Sequence, residues 1–91
     1  MTIEIKKGPG EAIIKVAGVL DDITAKSLGK IINDASKEAS SIILDLSGVK
    51  ELSTAGLSTI LDTRESISSS SSLRLTGARE SVMRVVEAFG I

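Results

Sequence analysis

Residues 41–49, Ser41-Ile42-Ile43-Leu44-Asp45-Leu46-Ser47-Gly48-Val49, followed after Lys50-Glu51-Leu52 by Ser53-Thr54-Ala55-Gly56-Leu57, decide how this chain folds. The unbroken run Ile42-Ile43-Leu44, then Asp45 and Leu46, predicts a central strand over 41–46 covered by helix on at least one face. Ser53 is a good helix N-cap. Beyond it, Leu57, Ile60, Leu61 and Ile67 fall on one helical face and Asp62, Arg64 and Glu65 on the other. A loop over 47–54 therefore joins a buried strand to an amphipathic helix. Leu73 to Thr76 then supplies a short strand, and a helical crossover between two such strands makes them parallel.

Working outward toward the N-terminus, Thr2 to Lys6 alternates polar and apolar, and Lys7-Gly8-Pro9-Gly10 reads as a turn. Glu11 to Ala17 resumes β-type sequence until Gly18, so the first two strands form a hairpin with the first antiparallel at an edge. From Thr24 the period becomes helical, with Leu28, Ile31, Ile32 and Ala35 on one face, and Asp21 or Asp22 placed to cap the start. Toward the C-terminus, the five serines of 68–72 predict the end of the second helix and a flexible turn. A third amphipathic helix follows over 79–89, closing at Gly90. The expected fold is an α/β domain with a mixed sheet and helical crossovers, in the order β-β-α-β-α-β-α, spanning 1–91 as a single domain. Binding surfaces of such sheets lie beyond the carboxyl ends of the parallel strands. That rule selects the loops 18–23, 47–54 and 76–79, which are expected to meet on one edge.

Composition narrows what that edge can do. The 91 residues include no His, Cys, Trp or Tyr and one aromatic residue, Phe89. A His general base, a thiolate nucleophile and a His or Cys metal site are thereby excluded, as are aromatic platforms for single-stranded nucleic acid. Eleven basic against twelve acidic residues leave a net charge of −1, which argues against a nucleic-acid binder or a basic membrane-surface helix. No window approaches the ~20 apolar residues of a membrane span, and the N-terminus lacks the apolar run of a signal peptide. A cytoplasmic protein without direct membrane insertion is expected. A domain this small needs nearly all its apolar helix faces for packing, so these read as core rather than cofactor pocket; no cofactor or metal is expected, and a bound nucleotide or lipid stays open as the weaker alternative. An enzyme would have to rest on Asp21, Asp22, Asp45 and Glu51 gathering near one edge, without a base, metal cage or phosphate loop beside them.

The start of the second helix carries the chemistry that remains. Ser53 as N-cap accepts from first-turn amides, and Thr54 becomes the first helical residue with its hydroxyl at the helix mouth. Two readings stand. One is capping alone; the other is phosphoryl acceptance at Thr54, where the added charge would meet free amides and the positive end of the helix dipole. Gly56 is likewise open to two readings: close packing of the helix on the sheet, or approach of a partner to a surface without a Cβ. Arg79 is the one cation expected near this edge.

With these motifs in place, the sequence resembles the STAS domains, named for sulfate transporters and anti-sigma factor antagonists. Gly18-Val19-Leu20-Asp21 with Thr24-Ala25 resembles the family's corner before the first helix, and Leu44-Asp45-Leu46-Ser47-Gly48-Val49 its third strand. Ser53-Thr54-Ala55-Gly56-Leu57 stands where the family usually has Asp-Ser-Ser-Gly-Leu. The resemblance implies the SpoIIAA-like fold, usually continued by one more strand, so that an end at Ile91 suggests a chain lacking that strand or a module of a larger sensor or transporter. In the antagonist branch the residue after the motif aspartate is the serine phosphorylated by a partner-switching kinase, which implies Thr54 as phosphoacceptor. Ser53 at the aspartate position removes a charge from beside it. Asp21 corresponds to a position implicated in kinase recognition, alongside its own reading as a cap.

The implied function is a non-enzymatic, bacterial, cytoplasmic interaction module for transcription regulation. Its partner would be an anti-sigma factor or serine/threonine kinase. The surface expected to bind it combines Asp21 and Asp22 with Ser53, Thr54, Ala55, Gly56, Leu57 and Ser58. Thr54-Ala55-Gly56-Leu57 fits a second branch equally well, the cytoplasmic STAS subunit of phospholipid-trafficking ABC transporters, which docks on the ATPase.

Overall fold

The computed structural model describes residues 1–67 and 70–88. It contains β1 (Thr2–Gly8), β2 (Glu11–Leu20), α1 (Asp22–Ser36), β3 (Ser41–Leu52), α2 (Thr54–Ser66), β4 (Ser72–Thr76) and α3 (Glu80–Ala88). The strands form one sheet in the order β1-β2-β3-β4, with β1 antiparallel to β2 and the other neighbours parallel, as expected from the hairpin and the two crossovers. Pro9 and Gly10 close the hairpin between paired Gly8 and Glu11: proline brings its fixed negative φ, and glycine accepts φ of +69°.

Ala12, Ile14 and Val16 of β2 and Ile42, Leu44 and Leu46 of β3 are buried, whereas the intervening Ile13, Lys15, Ile43 and Asp45 are half-buried or exposed. One sheet face is thus covered and the other open. The cover consists of Leu28 and Ile32 from α1, Leu57 and Ile60 from α2, and Val82 and Val86 from α3, and each such side chain withdrawn from water stabilises the fold by about 1.5–3 kcal/mol. Ile31 and Leu61, expected inside, are half-buried at the rim of this layer. Thr63 is buried although polar; its hydroxyl donates to the Thr59 carbonyl at 2.9 Å, and it lies against Gly29 of α1. A Cβ on Gly29 would stand 2.8 Å from Thr63 Oγ1, so glycine here sets how closely the two helices approach.

Several expected boundaries are corrected: β1 runs on through Lys7 and Gly8, which pair with Ala12 and Glu11, and α3 begins at Glu80 rather than at 79. β2 continues past Ala17 to Leu20, and β3 runs past Leu46 to Leu52, through most of the segment expected as a loop. The reason lies in the β2–β3 register, which shifts between Lys15 and Ala17 and again between Gly18 and Val19, so that β3 takes up extra residues in bulges. Its buried residues therefore run 42, 44, 46 and then 49 and 52, an alternation broken twice, which imitates a loop in the sequence. Gly48 stands at the first shift, where a Cβ would meet that of Ala17 at 2.8 Å. Likewise α1 begins at Asp22 rather than Thr24, with Asp21 as its cap.

The last two serines of the run are tied to the rest of the fold. Ser71 Oγ donates to the carbonyls of Ser36 and Ala39 at 3.0 and 2.9 Å, and Ser72 opens β4. Ser68 and Ser69, and the expected helix end at Phe89 and Gly90, lie outside the described residues.

Candidate functional site

The β2–α1 and β3–α2 corners are built against each other. Asp21 caps α1 through a reciprocal pair: Thr24 N–H donates to Asp21 Oδ1 at 2.9 Å, and Asp21 N–H donates to Thr24 Oγ1 at 2.9 Å. The amide and then the hydroxyl of Thr24 hold the Asp21 carboxyl below its usual range. At the neighbouring corner, Ser53 N–H donates to the Leu20 carbonyl at 3.0 Å, joining the strand ends where both helices begin. Ser53 Oγ accepts from Gly56 N–H at 2.9 Å, and Leu57 N–H closes on the Ser53 carbonyl at 3.0 Å. Of the first-turn amides of α2, those of Thr54 and Ala55 are left without an intrahelical partner.

Ser53 is therefore the cap, and Thr54 is the first helical residue. The Thr54 side chain is exposed, and among the described residues its hydroxyl makes no hydrogen bond. Capping falls to the serine and leaves the threonine hydroxyl out of it. Gly56 resolves toward packing: a Cβ would stand 2.6 Å from the Leu20 carbonyl oxygen and 3.1 Å from the Asp21 carbonyl, so the chain's own backbone fills that space. Gly56 and Leu57 are buried. They support the surface from below, while Asp22, Ser53, Thr54, Ala55 and Ser58 are exposed on it and Asp21 is half-buried.

The third loop meets the segment 47–54 near its start, at Ser47. β4 pairs with β3 only as far as Asp45, so Gly77 stands beside Asp45 and Ser47, well short of the α2 start. The α3 helix reaches it instead. Ser81 and Val82 line a shallow cleft of about 340 Å³ with Val19, Lys50, Glu51, Leu52 and Ser53. Lys50 thus brings a cation to the edge. In sequence the segment 47–54 reads as loop, and only the bulged strand gives its side chains a direction.

The acidic residues are spread out rather than gathered. Asp45 sits at the level where β4 ends, its Oδ1 accepting from Ser47 N–H at 2.9 Å. The Ser47 amide first, then its side chain and the charge of Lys15, keep this carboxyl below its ordinary range. Among the described residues no group of three or more acidic side chains could hold a metal ion, and no helix is long and apolar enough to cross a membrane.

Comparison with known proteins places this geometry. A search of curated protein sequences finds no match. The fold is similar to that of the anti-sigma factor antagonist SpoIIAA in its unphosphorylated form, with a TM-score of 0.82 at 14% identity over 98% of this chain and 81% of that one. It is also similar to an anti-sigma factor antagonist from Mycobacterium paratuberculosis (TM-score 0.83, 24% identity, 98% and 77% of the two chains). A third similar structure is the murine Solute Carrier 26 family member A9 anion transporter in its inward-facing state (TM-score 0.75, 14% identity), of which this chain matches 14% while 91% of this chain is covered. At such identities the likeness concerns the fold. The sequence itself matches the STAS domain family model over residues 2–91, and the chain belongs to that family.

Proposed function

We propose that this STAS domain is a non-enzymatic, cytoplasmic binding module of the anti-sigma factor antagonist kind. Its edge of Asp21, Asp22, Ser53, Thr54, Ala55 and Ser58 docks an anti-sigma factor that is a serine/threonine kinase, and phosphorylation of Thr54 releases it. The observation that carries this reading is the exposed Thr54 hydroxyl, free of hydrogen bonds among the described residues, on a helix already capped by Ser53. A phosphate there meets the open amides of Thr54 and Ala55 and the positive end of the α2 dipole, so the modified chain keeps its fold. In the complex the same group adds a charge of about −1.5 to −2, and desolvating it without a basic partner costs several kcal/mol. Similarity in fold to two anti-sigma factor antagonists supports the reading.

The test is affinity capture from the source lysate with the wild-type chain and Thr54→Glu in parallel, followed by mass spectrometry. A kinase retained by wild type and lost with Thr54→Glu is expected. An ABC ATPase with its permease, retained by both, would overturn it. That outcome belongs to the second reading, a constitutive docking subunit or a module of a larger transporter. The segment Thr54-Ala55-Gly56-Leu57 and the fold shared with an anion transporter favour this alternative.

A further inference from the structure

β1 is an outermost strand of the sheet and pairs with β2 alone, so its other edge offers a row of backbone N–H and C=O groups that no described strand takes up. Its residues divide by face. Ile3, Ile5 and Lys7 stand in register with Val16, Ile14 and Ala12, on the helix-covered side, whereas Thr2, Glu4 and Lys6 share the open side with Ala17, Lys15 and Ile13. Ile5 is 44% exposed although Ile14, its partner across the ladder, is fully buried. The α1 helix covers it only in part: Ile5 and Ile31 line a cleft of about 240 Å³ with Lys7, Asp34, Ala35 and Glu38.

This strand is complementary to itself. Two copies laid antiparallel about a two-fold axis at Ile5 pair the whole of Thr2–Gly8, with Thr2 opposite Gly8, Ile3 opposite Lys7, and Ile5 against its own copy on the covered side. The same register sets Glu4 opposite Lys6 twice on the open side. Both side chains are exposed and take part in no ion pair among the described residues. Other registers are worse. Sliding by two residues brings Glu4 against Glu4 or Lys6 against Lys6, and sliding by one sets Ile5 against a charged residue. Lysines on an edge strand ordinarily keep it from pairing, but here Lys7 already closes on Glu38 of its own chain at 3.5 Å and Lys6 gains a carboxylate. The other outermost strand lacks this property, because two copies of β4 paired over Ser72–Thr76 would set Arg74 against Arg74.

We infer that β1 is a self-association edge, which joins two copies of this chain into a two-fold dimer with one continuous sheet. Paired Ile5 side chains at the axis and two Glu4–Lys6 contacts on either side of it fix the register. No residue of the edge around Thr54 belongs to β1, so the dimer forms whatever that edge binds. It carries two such edges and is thereby a bivalent binder.

The test is sedimentation velocity on the purified chain from about 1 µM to about 1 mM at low ionic strength, for wild type, Lys6→Glu, Glu4→Lys and the double swap Glu4→Lys/Lys6→Glu. A reversible dimer with Kd of about 10–100 µM is expected for wild type, as fits an interface at the small end of the specific range. Each single substitution turns two attractive pairs into two like-charge pairs and should weaken the dimer at least about ten-fold. The double swap restores both pairs and should return Kd to within about three-fold of wild type. Lys6→Glu is the cleaner single variant, because Glu4 also stands in register with Lys15 of its own chain. All the substituted side chains are exposed, and circular dichroism with thermal melting checks that every variant is folded. A wild-type chain that stays monomeric over the whole range overturns the inference. So does a dimer unmoved by Lys6→Glu, or a folded double swap as weak as the single variants, since either places the contact on another face or in another register.

Discussion

Replacing Gly56 by alanine places a methyl carbon 2.6 Å from the Leu20 carbonyl oxygen and 3.1 Å from the carbonyl carbon and oxygen of Asp21, far inside the 3.4–4 Å of ordinary contact. All three atoms are backbone at a corner fixed by the Asp21 cap and by the Ser53–Leu20 hydrogen bond, so no side-chain rotation relieves the clash. Intrinsic helix propensity acts in the opposite direction, favouring alanine by up to about 1 kcal/mol and by less in a first turn. Forced displacement in a packed interior costs about 1–3 kcal/mol. The steric term wins, and a net loss of about 1–2 kcal/mol is expected, which lowers Tm by roughly 5–10 °C in a domain of this size. Thermal and urea denaturation followed by far-UV circular dichroism measure it. Gly8→Ala serves as reference, since a Cβ at Gly8 meets nothing within 4 Å and its φ is not positive. If Gly56→Ala melts at or above Gly8→Ala, the close approach of α2 to the β2–α1 corner is not what glycine is there to permit.

Two further outcomes follow from the same corner. Ser53→Ala removes the acceptor of Gly56 N–H and should cost about 1 kcal/mol in urea unfolding, while Thr54→Val, at a hydroxyl without a partner, should leave the midpoint nearly unchanged; equal losses would contradict the assignment of cap and free hydroxyl. Asp21 and Asp45 both have carboxyls held below their ordinary range in the folded state. Their contribution is therefore complete above the ordinary carboxylate pKa and is lost as pH falls through the lowered folded values. The stability gap between wild type and Asp21→Ala should accordingly be widest at neutral pH and shrink on acidification, and a gap independent of pH would refute the role given to the Thr24 hydrogen bonds.

Much of this protein was legible in the order of its residues. Periods of two and of 3.6, punctuated by Pro9-Gly10, Asp21 and Ser53, identify the seven elements and their sequence, because those patterns depend on local backbone geometry and on which face meets the core. The same local logic marks Ser53 as a cap and Thr54 as the residue after it. What sequence alone could not reveal depends on pairing between distant segments. The two register shifts between β2 and β3 carry Val49 and Leu52 inward out of phase with Ile42, Leu44 and Leu46, so a strand reads as loop until its partner is known. Likewise, the two roles open to Gly56 could be separated only by seeing the Leu20 carbonyl fill its missing side chain. Lys50 and Ser81 reach the edge through that bulged strand and through α3, while β4 ends at Thr76, opposite Asp45. Local periodicity determines the elements; only long-range register decides which side chains share a surface, since each bulge resets the alternation that a period-two pattern assumes.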